Sequence, residues 1–189
     1  MDELLTQLQA ILNAVKINLP LTLLIIGGLW LIHVINLCVG KKLNYLGVYP
    51  RRLPGLIGLP FFSFLHGDFN HLFFNSIPLF VLINFILLSG LIKFISITFT
   101  IIFLSGIGIW FFGRRAIHIG ASSLIMGYWS YLLGHAYQHP SALTVILAIL
   151  CVYYFAGLFF ALFPAEEEVS WEGHLFGFLA GIAAMYLYP

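Results

Sequence analysis

Two adjacent hydroxyls, Ser122 and Ser123, open the apolar stretch HIGASSLIMGYWSYLLG at 118–134. A serine in a lipid-embedded helix ordinarily bonds back to its own backbone or packs as a small residue. It becomes a nucleophile where a base removes its proton, and histidine is the usual base. The candidate is His174, at the head of WEGHLFGFLAGIAAMY. A third polar group lies in FLHGDFNHLFFNSIPLF, where His71 and Asn75 are four residues apart and share one helical face. Acyl transfer needs hydrogen-bond donors aimed at the developing oxyanion, and His71, Asn75 and the backbone N–H of Ser122 are groups of that kind. Glu172, two residues from His174, points off the face of that base, so a Ser–His dyad is expected rather than a triad.

The elements that would position these groups must span a membrane. The chain is 61% hydrophobic and 8% charged, too poor in polar surface to cover a water-soluble globule of 189 residues. Its basic residues run no longer than pairs, which leaves a nucleic-acid partner no electrostatic footprint. A bilayer core of roughly 30 Å takes about 20 helical residues. Segments near 19–39, 70–89, 91–112, 142–163 and 171–188 approach that length, and a sixth, from Gly120 to Gly134, is shorter and must begin below one surface. Its leading backbone, GRRAIHIGA, is tolerated at depth only where protein or a water-filled cavity surrounds it. The fold class expected is therefore all-α, a polytopic bundle of six transmembrane helices with a short fourth helix starting within the membrane. Residues 1–16 begin with acids and have helical apolar spacing, as in an amphipathic interfacial segment or a plain extension of the first span; residues 17–189 form the membrane domain.

Small residues indicate which helices meet. Ser123, Gly127, Ser130 and Gly134 follow the spacing i, i+4, i+7, i+11, and Gly173, Gly177, Gly181 and Ala184 follow the same spacing in the last span. Each makes a seam on which another helix can pack closely. The short span and the last span run in the same direction, so Ser122 and His174 start at the same depth and a hydrogen bond between them is feasible.

Taken together, HGDFNHLFFN, GASS opening a span and GHLFGFLAG resemble the rhomboid intramembrane serine proteases over about residues 17–189. By that resemblance Ser122 is the nucleophile, His174 the general base, and His71 and Asn75 the oxyanion pocket. Gly120 holds the first glycine of the family's G-x-S-G motif, Gly177 and Gly181 match its close-packing glycines, and His66 occupies a familiar position near the site. Ser123 stands where the family usually has glycine, and Met126 stands where an aromatic ring normally stacks on the base. The resemblance implies a cofactor-free, multi-pass endopeptidase that cuts transmembrane protein substrates within the lipid bilayer, expected in a bacterial inner (cytoplasmic) membrane. It places Lys16 and Lys93 inside and Lys41, Lys42, Arg51, Arg52, Arg114 and Arg115 outside, the reverse of the positive-inside tendency.

Competing readings are less specific. His33, His118, His135 and His139 are read as capping, snorkelling or backbone-bonded residues outside the site, and Cys38 and Cys151 as small hydrophobes. His66 is read as tying down the first loop. A zinc site of His66, His71 and His174 lacks an H-E-x-x-H helix and any thiolate, so no metal is expected. The acids at 165–168 are read as a solvated loop, with a gate over the site as the sharper alternative. A transporter lacks charged pairs lining its spans. The rival in another class is a noncatalytic rhomboid-like protein that binds transmembrane helices.

Overall fold

The computed structural model describes residues 2–160 and 170–189. The described residues form helices and no strand: α1 (Asp2–Cys38), the single turn α2 (Leu53–Leu56), α3 (Phe69–Leu87), α4 (Leu91–Phe112), α5 (Ser122–Gln138), α6 (Ala142–Phe160) and α7 (Trp171–Leu187). Three stretches, Leu5–Cys38, Phe69–Leu87 and Leu91–Phe112, are long and apolar enough to cross a membrane. Helix α1 passes residue 16 without a break, the plain extension of the first span. The acidic stretch 165–168 lies outside the described residues.

Helix α5 is the centre of the molecule. It packs against α3, α4, α6 and α7, most extensively against α7. Its residues from Ser123 to Tyr131 are all buried, so its surroundings are protein on every side. With 17 residues it is longer than the 15 or so expected from Gly120–Gly134, because His135 to Gln138 continue it by another turn.

The α5–α7 contact is the small-residue seam expected from the spacing. A β-carbon on Gly177 would collide with the Ser123 carbonyl, and one on Gly181 with the Gly127 carbonyl and the Ser130 hydroxyl. The Ser130 hydroxyl also donates across the seam to the Phe178 carbonyl at 2.8 Å. Such an interhelical bond contributes on the order of 0.6 kcal/mol, so its larger service here is to fix the register of two closely approaching backbones.

The segment between α1 and α3 is a packed element of its own. A β-carbon on Gly55 would strike the Tyr49 backbone, and one on Gly58 the Gly47 carbonyl. The Trp110 indole donates to the Arg52 carbonyl at 2.9 Å, and the Arg51 N–H to the Trp110 carbonyl at 3.0 Å, fastening this segment to the end of α4. Val48 and His118 then exchange backbone hydrogen bonds of 3.0 and 2.9 Å in an isolated antiparallel bridge. The irregular backbone leading into α5 is thus enclosed and paired by protein, which lets non-helical chain persist beside apolar helices.

Candidate functional site

Asp68 is the N-cap of α3, and its carboxylate accepts the His71 N–H at 2.9 Å. That bond, more than any other influence, holds the Asp68 carboxyl below its usual pKa. The cap fixes the first turn of α3 and so the position from which His71 and, one turn on, Asn75 project.

The approach to α5 ends at Gly120, whose φ of +126° is open to glycine and strained for other residues. Its N–H donates to the Phe62 carbonyl at 2.9 Å. A β-carbon there would lie 2.7 Å from His71 Nε2 and 3.7 Å from Ser122 Oγ. Glycine at this point therefore does two things: it makes the turn, and it leaves space for the imidazole of His71 beside the serine.

Ser122, His174, His71 and Asn75 line one cavity of about 840 Å³. Four residues separated by up to 103 positions in the chain thus converge from α3, α5 and α7. Ser122 is half-buried and His174 is 8% exposed. The Asn75 amide nitrogen is buried, with no hydrogen-bond partner among the described residues. An unpaired buried donor costs about 1–3 kcal/mol, and one lining the same cavity as a hydroxyl and two imidazoles is suited to receive negative charge that develops during a reaction.

The neighbouring serine is placed differently. Ser123 is 2% exposed, its hydroxyl lies 3.4 Å from that of Ser63, and its carbonyl forms the seam against Gly177. It is absent from the cavity lining. Gly177 and Gly181 stand behind the site, on the seam that brings α7 close enough to α5 for His174 to reach the cavity. Met126, one turn after Ser122, is buried in the core.

His66 sits directly behind His71. It is buried, its ring meets that of His71 edge-on with centroids 5.0 Å apart, and its Nε2 accepts the Ala121 N–H at 3.3 Å. Burial, followed by the nearby His71 and His33, pushes its pKa down to about 3. His66 is therefore neutral, as an acceptor holding the backbone immediately before Ser122 must be. Among the described residues no group of three His, Cys, Asp or Glu is arranged to hold a metal ion.

The structure brings to the same cavity three residues that sequence reasoning did not place there, Arg114, His118 and Ser170. His118 was read as a capping, snorkelling or backbone-bonded residue outside the site; it does bond the Arg114 carbonyl, but it is 2% exposed, bonded at its other ring nitrogen to Ser170, and lines the cavity. No local period carried this, because Gly120 has a positive φ and Ala121 is already in the αR region, so the chain from 118 to 122 has neither a strand nor a helix repeat.

Known proteins resemble this chain over most of its length. A family model described as Rhomboid domain matches residues 55–189. An uncharacterized protein of Mycobacterium tuberculosis is 33% identical over 168 residues, spanning 84% of this chain and 70% of that protein. An uncharacterized protein of Mycobacterium leprae is 30% identical over 168 residues, spanning 84% of this chain and 66% of that one.

Proposed function

Because the chain belongs to the rhomboid family, we propose that it is a six-span intramembrane serine endopeptidase acting through Ser122 and His174. The observation that carries this reading is the convergence of Ser122, His174, His71 and Asn75 on one cavity, with the Asn75 amide buried and unpaired by any described residue.

In this mechanism Ser122 Oγ attacks the carbonyl carbon of the scissile peptide as its proton passes to the imidazole of His174. The oxygen of the tetrahedral intermediate takes on negative charge and is met by the Asn75 amide, by His71 and by the Ser122 N–H. Collapse breaks the C–N bond, and the His174 imidazolium gives its proton to the leaving amine. Water, deprotonated by the same imidazole, then attacks the acyl-enzyme; the ester bond breaks and Ser122 is restored. No cofactor enters the reaction.

The substrate class is a membrane protein cut in or near a transmembrane segment. A helical substrate has its carbonyls bonded and its backbone shielded, so it must unwind locally before attack. Segments with glycine, proline or small polar residues near the cut are favoured accordingly.

Labelling with a fluorophosphonate in detergent, together with cleavage of a helical reporter, tests the reading. Only an activated serine reacts, so the expected result is modification of wild type and of Ser123→Ala, and none of Ser122→Ala or His174→Ala. A folded wild type that neither labels nor cleaves would instead support the noncatalytic helix-binding alternative.

A further inference from the structure

The turn at Gly120 and the head of α7 belong to different parts of the chain, yet two side-chain ties join them at the cavity that Ser122 and His174 line. In the first, His118 Nε2 lies 3.0 Å from the Arg114 carbonyl, and His118 Nδ1 lies 2.6 Å from the Ser170 hydroxyl. A carbonyl only accepts, so Nε2 carries the proton and Nδ1 is the acceptor of the Ser170 O–H. The Ser170 oxygen in turn accepts the Gly173 N–H at 3.2 Å as the N-cap of α7. In the second tie, the buried Glu172 carboxylate accepts the Arg114 N–H at 3.0 Å and lies 3.7 Å from the Arg114 side chain.

The ties meet the dyad on both sides. His118 is two residues before Gly120 and four before Ser122. Ser170 begins the turn that ends at His174, whose N–H donates to the Ser170 carbonyl at 3.3 Å. Burial holds the His118 pKa below its ordinary value, in keeping with a neutral ring between Arg114 and Glu172.

We propose that His118, through Ser170, and Glu172, through Arg114, are positioning residues that set the distance between Ser122 and His174 for the proposed reaction, the work that an orienting carboxylate does in a triad. This inference rests on the catalytic reading above and extends it to residues outside the dyad and the oxyanion pocket. Neither residue needs to touch substrate.

Misplacement of a reacting group by about 1 Å can cost on the order of 10²-fold in rate. His118→Ala is therefore expected to lower kcat and the fluorophosphonate labelling rate by about 10²-fold, with KM unchanged and most of the protein still folded by its melting curve. Two amide replacements separate positioning from simple packing. His118→Asn keeps an acceptor where Nδ1 stood and is expected to recover most of the rate, whereas His118→Gln keeps only a donor toward Arg114 and is not. Ser170→Ala and His118→Ala should be less than additive in kcat, since they share one bond, with Ser170→Ala costing in addition only its cap bond to the Gly173 N–H.

Equal rates for the Asn and Gln variants, a kcat for His118→Ala equal to wild type, or losses that track the unfolded fraction would overturn the inference while leaving the dyad intact, provided that wild type labels and Ser122→Ala does not. A wild type that fails to label overturns the catalytic reading, and this inference falls with it.

Discussion

The buried amide of Asn75 leads to a prediction in which stability and activity move in opposite directions. Its nitrogen has no hydrogen-bond partner among the described residues. Leaving a donor in that state costs the folded protein about 1–3 kcal/mol relative to a site with no donor to satisfy. Asn75→Leu removes the donor and keeps the branched shape and heavy-atom count at a larger volume beside an open cavity, so the folded state is expected to keep its stability or gain up to about 1 kcal/mol after imperfect packing is allowed for. For a domain of this size that is a rise in melting temperature of about 2–4 °C. The same change removes a contact to the oxyanion, and loss of one such donor lowers kcat by about 10²–10³-fold, or about 2.7–4 kcal/mol of transition-state stabilisation. Thermal unfolding in detergent and initial rates on a helical reporter would be measured on the same preparations. An Asn75→Leu protein that melts several degrees below wild type, and loses activity only as its folded fraction falls, would refute the reasoning; the amide would then be an interhelical tie and not a catalytic donor.

The two serines are expected to separate cleanly: Ser122→Ala abolishes cleavage and labelling with little change in melting temperature, while Ser123→Gly and Ser123→Ala retain activity because that hydroxyl faces Ser63 and not the cavity. Gly120→Ala should reduce turnover by at least about 10²-fold, since its β-carbon would meet His71 Nε2 at 2.7 Å in a backbone conformation that disfavours a side chain; equal turnover would show that the turn can relax. Stability should also fall on acidification: an unfolded His66 takes up a proton near pH 6.5 and the folded one near 3, so the unfolded chain binds more protons between those values. The contribution is complete above the unfolded value and is lost as pH falls, by about 1 kcal/mol between pH 7 and 5.5; His66→Gln, which keeps an acceptor for the Ala121 N–H, should flatten the melting curve against pH over that range.

Much of this protein was legible in local patterns. Apolar run lengths gave the helices, because a bilayer fixes the length of a crossing and every backbone group within it must be paired. The small-residue spacing gave the α5–α7 seam, since a close helix approach needs side chains no larger than those of glycine, alanine or serine. The candidate site residues were likewise visible, because polar side chains in such runs are costly and few. His118 does bond to backbone, one of the roles expected of it, but its place in the cavity was not read from the sequence. A histidine in a loop rich in charge has the same local appearance whether it snorkels to water or is sealed within the protein, and the difference lies in Val48 and Ser170, 70 and 52 residues away. The pairing of Glu172 with Arg114 was hidden for the same reason: Glu172 was read only as pointing off the face of His174 and Arg114 only as one of a basic pair, until the fold placed them 3.7 Å apart. The sequence alone determined which residues could do chemistry and which helices carry them, for these follow from residue type and period. Only the tertiary structure decided which loop residues join Ser122 in the cavity and that Ser123 meets Ser63, because these depend on contacts between segments that no local period connects.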